Sequence, residues 1–186
     1  MGKRSLFSAS DYASVNLEGE FQSEIQYLDN EQVRKAELSV QNDRRIRADL
    51  TVVRLTEPFG EVRKRFQETM WLALIAIPDA PEGWFITQTF DDPDKPDGLY
   101  LLANVENERS LKLYMPNCAG TRQITGMIVK ENTHSKLGIC EFTTQDAIFN
   151  AARDAVEFLD AKHPVAITPV FVLKKVDELT PETPKR

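Results

Sequence analysis

The chain has 186 residues, of which 41% are hydrophobic and 28% charged, a balance that suits a folded core and excludes wholesale disorder. Its formal net charge is -6, from 29 acidic and 23 basic residues, so a nucleic-acid role would require a local basic patch. The longest apolar run, Trp71 to Pro78, falls well short of the roughly 20 residues that span a bilayer.

The N-terminus reads Met1-Gly2-Lys3-Arg4-Ser5-Leu6 with no apolar stretch behind it, so a secretory leader is not expected. Leu6 stands where a myristoylation signal needs Ser or Thr. With two cysteines and no Asn-x-Ser/Thr sequon, the expected compartment is the cytoplasm. Residues 1–14 are polar and serine-bearing and read as a flexible arm, 15–178 as a single α+β domain, and 179–186, with Pro181 and Pro184, as a tail.

Alternating apolar positions open the domain. Phe21, Ile25 and Tyr27, then Leu38 and Val40, then Ile46, Ala48, Leu50 and Val52 recur at even spacing, which predicts three strands. Asn42-Asp43 suits a turn, so strands near 36–42 and 46–55 should form a hairpin. The period then changes. Thr56 can cap, Pro58 fits a first turn, and Phe59, Val62, Phe66 and Met70 recur at three- and four-residue steps, which predicts a helix over about 57–70. The apolar run Trp71–Ile77 that follows suits a buried helix or a central strand.

Further strands are expected over 84–90, 99–105, 111–115, 124–129 and 139–142, separated by Asp, Pro, Gly and Asn. A second helix should start at Thr143, with Asp146 completing a capping box. It carries the stripe Ile148, Ala151, Ala152, Ala155, Phe158 and Leu159, and should end near His163-Pro164. A last strand, 165–176, contains Pro169, which belongs at an edge or a bulge. The expected fold is α+β, a mainly antiparallel sandwich or partly open barrel with two helices packed on it.

No signature of catalysis or of a cofactor is present. The run Asp91–Gly98 holds four carboxylates, but Pro96 and Asp97 occupy the positions where a calcium loop needs a ligand and a glycine, and a solvated turn is the simpler reading. Cys118, Cys140, His134 and His163 are not closely paired, which argues against structural zinc. A cysteine-dependent enzyme, the remaining alternative, would rest on Cys118 with His134. Glycine-rich phosphate loops and hydrolase elbows are missing, and no metal or cofactor is expected.

Charge distribution is more informative. Residues 34–65 carry nine basic and five acidic side chains, whereas 66–110 carry nine acidic and two basic ones. Opposite patches of this kind suit a non-enzymatic binding or assembly module that engages a protein partner or copies of itself. Alternatively, Arg44, Arg45, Arg47 and Arg54 could line a strand surface on which Trp84, Phe21 or Tyr27 stacks the bases of a single-stranded nucleic acid. A plainer reading has these arginines paired with nearby carboxylates on a solvated hairpin.

Overall fold

A computed structural model of the chain describes residues 6–23, 26–28, 31–56, 61–90, 92–94, 100–114, 128–129, 140–141, 144–160 and 169–176. The elements are β1 (Gly19–Ser23), β2 (Gln26–Leu28), β3 (Glu31–Val40), β4 (Ile46–Thr56), β5 (Glu61–Ala76), β6 (Trp84–Phe90), β7 (Tyr100–Glu106), β8 (Ser110–Tyr114), β9 (Ile128–Val129), β10 (Cys140–Glu141), α1 (Gln145–Asp160) and β11 (Pro169–Lys175). A short 3-10 turn, Ala9–Asp11, precedes them.

Nine strands form one antiparallel sheet in the order β1-β11-β8-β7-β6-β5-β4-β3-β2, and β1 also pairs with β3. That last pairing closes the sheet into an eight-strand barrel, with β2 continuing beside the start of β3. The wall is an up-and-down meander, interrupted by the long connection between β8 and β11 that carries β9, β10 and α1. The predicted partly open barrel or sandwich is thus a closed barrel.

Strand alternation fills the inside. On β4, Ile46, Ala48, Leu50 and Val52 are buried, while Arg47 on the other face is exposed. They meet Leu72 and Leu74 of β5, Leu101, Ala103 and Val105 of β7, Leu111 and Leu113 of β8, and Phe171 and Leu173 of β11 in one cluster. Eight strands leave an interior about wide enough for side chains to fill, and Leu50, Leu74, Leu111, Phe21 and Leu173 fill it. On β3 the buried positions step from Val33 to Ala36, because a register shift between Val33 and Lys35 inserts an extra residue there.

The β3–β4 hairpin forms as its spacing predicts. Gln41 N donates to Arg45 O at 2.7 Å, Arg44 N donates to Gln41 O at 2.9 Å, and Arg44 takes a positive φ of 72°. The left-handed residue of this three-residue loop is therefore an arginine, and neither Asn42 nor Asp43 takes that position.

The helix predicted over 57–70 is not formed. Residues 57–60 lie outside the described residues, and 61–70 belong to β5. The misreading has a simple cause: Val62, Phe66 and Met70 are spaced by four, which satisfies a helical stripe and a two-residue alternation equally. Met70, Leu72 and Leu74 then continue at two-residue steps, and Phe66 and Met70 pack against the interior cluster. Among the described residues α1 is the one α-helix, where two were expected.

Helix α1 starts one residue later than the capping pattern predicts. Ala147 N donates to Thr144 Oγ1 at 3.0 Å, so Thr144 is the cap in place of Thr143. Its stripe of Ile148, Ala152, Ala155 and Val156 lies on the outside of the wall against Ala73, Ile75, Ile86, Phe90 and Leu102. Full burial of a residue such as Ile148 contributes about 1.5–3 kcal/mol, and this second apolar layer explains why β5, β6 and β7 carry hydrophobic residues on both faces.

The described part of the N-terminal arm completes that layer. Phe7 and Tyr12 are buried. Phe7 packs edge-on against Tyr100 and Phe149 at 5.8 and 5.5 Å between centroids. Tyr12 bridges to Ile75, and Ala13 N donates to Leu74 O at 2.7 Å. The arm thereby pairs with the end of β5 that extends beyond the first residue of β4.

Candidate binding surface

The arginines singled out by the sequence fall into separate places. Arg44 leaves the hairpin turn and donates from Nη1 to the carbonyl oxygen of Tyr12 at 2.7 Å. Arg45 forms an ion pair with Asp43 through Nε and donates from Nη1 to Pro93 O at 2.9 Å. Arg47 donates from Nε to Asp49 Oδ1 at 3.1 Å, an oxygen that also accepts from Thr69 Oγ1 at 2.9 Å. The carboxylates that meet Arg45 and Arg47, Asp43 and Asp49, lie inside the basic stretch itself, so these two charges are balanced locally.

Arg54 stands apart. It is exposed near the far end of β4, seven residues beyond Arg47 and of opposite parity in the strand. At about 3.3 Å per residue that places it roughly 23 Å away. The four arginines do not form one stripe.

The aromatic partner of Arg45 and Arg47 is Trp71, which the sequence reading placed in a buried run. Arg45 Cζ lies 5.1 Å and Arg47 Cζ 5.9 Å from its ring centroid, so two cations cover one half-buried indole. Register explains the meeting: Arg47 is directly opposite Trp71 in the β4–β5 ladder. Trp84 lies at the other end of β6 from Phe90, the residue paired with Trp71, and packs at a tilt against Tyr114 with centroids 5.8 Å apart. Phe21 is wholly buried inside the barrel, where it cannot stack a base. The side chain of Tyr27 lies outside the described residues.

Cys118, His134 and His163 also lie outside the described residues, as does the side chain of Cys140. Of the acidic run, Asp94 N donates to Asp92 Oδ1 at 2.9 Å, a local turn of the kind expected for a solvated connection. Among the described residues no three His, Cys, Asp or Glu side chains gather as a metal site, and no helix is long and apolar enough to cross a membrane. A cavity of about 20 Å³ under α1, lined by Ile86, Tyr100, Leu102, Ile148 and Ala152 among others, is an apolar packing defect with room for about one water.

Two buried polar groups stand out within the wall. Thr87, between Leu74 and Leu101 in the ladder, is fully buried, and its hydroxyl has no partner among the described residues. Gln88, on the opposite face, accepts at Oε1 from the Tyr12 hydroxyl at 3.2 Å. Burial holds the Tyr12 phenol above its ordinary pKa, opposed by the nearby Arg45 charge, and burial alone does the same to Tyr114.

The most distinctive feature is an edge. β5 has sixteen residues, but β6 pairs only with Trp71–Ala76. Over Glu61–Met70, β5 pairs with β4, and among the described strands β6 joins its other side only from Trp71 onward. This edge extends roughly 33 Å at about 3.3 Å per residue. Phe66 and Met70 on its inner face are partly buried, whereas Glu68 on the same face is exposed, so the β4–β5 hairpin projects past the filled part of the barrel. The sequence reading missed this edge because it read the segment as helix. Even spacing kept from Phe66 through Met70 and Leu72 into Leu74 was the available signal.

Compared with protein-family models, with curated proteins and with solved structures, the chain matches none.

Proposed function

We propose that the chain is a non-enzymatic binding module that engages protein through the long β4–β5 hairpin, where β5 runs beyond β6. The observation that carries this reading is the length of β5, which pairs with β4 over Glu61–Met70, ten residues before its pairing with β6 begins at Trp71. A sheet edge offers a row of backbone donors and acceptors that an extended segment completes by strand addition, with side-chain pairs supplying selectivity. Natural edges of this length are normally shortened, covered or charged. Here Glu61, Arg63, Lys64, Arg65 and Glu68 lie along the edge, which discourages indiscriminate pairing and favours a partner of matching charge.

Arg44, Arg45 and Arg47 each spend donors on the protein itself, which favours this reading over base stacking along that strand. The test is a panel of immobilised decapeptides with alternating β-branched residues and varied charge. At least one should retain the chain and slow amide hydrogen exchange within Glu61–Met70. Retention without protection there, or no retention by any peptide, rules out the edge as the binding element.

A further inference from the structure

We infer that the corner between α1 and β7 is a peptide-binding site for leucine followed by phenylalanine, filled in cis by Leu6-Phe7 of the arm and in trans by a second polypeptide when that arm swings out. It uses no residue of Glu61–Met70 and stands independently of the reading above. Both backbone polar groups of Leu6 are met by side chains of the body: its N–H donates to Tyr100 Oη at 3.0 Å, and Gln145 Nε2 donates to its carbonyl oxygen at 2.6 Å. Phe7 is 4% exposed, its ring edge-on to Tyr100 and Phe149. A buried aromatic anchor, with placed polar groups that read the backbone beside it, is the make-up of a recognition site. Tyr100 and Gln145 lie 94 and 139 positions along the chain from Leu6, so the contacts have the form of an interface between two molecules.

The arm can release this dipeptide and stay attached. Its second anchor is Tyr12, whose hydroxyl donates to Gln88 Oε1 at 3.2 Å and whose carbonyl oxygen accepts from Arg44 Nη1 at 2.7 Å, while Ala13 N donates to Leu74 O at 2.7 Å. Between the anchors, Ser8, Ala9, Ser10 and Asp11 are all exposed. The bonds of that turn run within it: Ser8 N donates to Asp11 Oδ2 at 2.9 Å, Asp11 N to Ser8 O at 2.8 Å, and Tyr12 N to Ala9 O at 3.1 Å. A turn that holds itself and nothing else is a hinge, and rotation there frees Leu6 and Phe7 with Tyr12 in place. Tyr100 also lines the unfilled apolar cavity of about 20 Å³ under α1, so one wall of the site is incompletely packed and gives up fewer contacts on opening than a close-packed core would.

The probe is the fluorescent peptide Ser-Leu-Phe-Ser with both ends blocked. Phe7→Ala removes the ring that fills the site, and fluorescence anisotropy should show this variant binding the peptide at least about tenfold more tightly than the unaltered chain, whose own arm competes. Adding Gln145→Ala should weaken that binding about three- to tenfold through the lost hydrogen bond, with the unfolding midpoint unchanged because Gln145 is exposed. The peptide with leucine and phenylalanine exchanged should bind at least about tenfold more weakly. A second measurement keeps Phe7 in place. In a chain carrying Cys118→Ser and Cys140→Ser, a nitroxide on Ala9→Cys should gain mobility as excess peptide displaces the arm, and this result decides alone if Phe7→Ala does not fold. No binding by a folded Phe7→Ala chain, equal affinity for the two peptide orders, an affinity unaffected by Gln145→Ala, or a nitroxide that stays immobile at every peptide concentration would each overturn the inference.

Discussion

Arg45 covers the indole of Trp71 at 5.1 Å while the same guanidinium meets Asp43 and the Pro93 carbonyl oxygen. One side chain thereby ties the β3–β4 turn to β5 and to the connection after β6. Its planar fork allows stacking and in-plane hydrogen bonding together, which an ammonium cannot reproduce.

Arg45→Ala should therefore cost about 1–3 kcal/mol of unfolding free energy, combining a partly desolvated cation–π contact with a charge-assisted hydrogen bond. Arg45→Lys should recover less than half of that. Urea denaturation of both variants checks it. Equal stability of the lysine variant and the parent would mean that the charge matters and the plane does not.

Thr87→Val should be neutral or stabilising, by up to about 1 kcal/mol. A buried hydroxyl without a partner bears its desolvation cost with no return, and valine keeps the shape. A clear loss in thermal or chaotropic unfolding would show that the hydroxyl is bonded.

Tyr12 gives the stability an alkaline dependence of known sign. Its folded pKa is raised by burial above the ordinary value of 10.0, so below pH 10 the phenol is neutral in both states and its contribution is complete. Above pH 10 the unfolded chain ionises first, and stability falls as pH climbs towards the folded pKa, by at most about 1.4 kcal/mol per pH unit for this group. Tyr114 adds in the same direction. Tyr12→Phe should flatten the decline measured by denaturation between pH 9 and 11, and should cost stability at pH 7 because Gln88 loses a donor.

Gly83→Ala should be costly. Gly83 has a φ of 95°, and an added Cβ would lie 3.0 Å from the Val105 carbonyl oxygen, while Val105 N donates to Gly83 O at 2.8 Å. Left-handed strain and a backbone clash together imply a loss of about 1–3 kcal/mol. Thermal unfolding of the alanine variant measures it, and an unchanged midpoint would contradict the close approach of these two segments.

Much of the wall was legible from alternation. The strands at Trp84–Phe90 and Ile46–Thr56, the turn after Val40, and the register shift between Pro169 and Phe171 all follow from local chemistry. The failure at 57–70 arose because Phe66 and Met70 satisfy both periods, and only the partner strand β4 selects between them. Closure was illegible for another reason. It depends on Phe21 meeting both Ala36 and Lys175, and nothing local in the sequence announces a pairing between chain ends. The Arg–Trp71 cluster was hidden in the same way: Arg47 and Trp71 are 24 positions apart in sequence and become neighbours only through the ladder.

That closure also sets the order of events as the chain folds. From β3 to β8 each wall strand pairs with its sequence neighbour, whereas β1 and β11 meet across nearly the whole chain over only Phe21–Ser23 and Leu173–Lys175, helped by Val176 N donating to Glu20 O at 2.9 Å. Local hairpins close early and long loops close late, so this seam is the last stitch in and the first out. An unsewn barrel is an open sheet with raw edges, and the time it spends in that state governs how fast the protein aggregates.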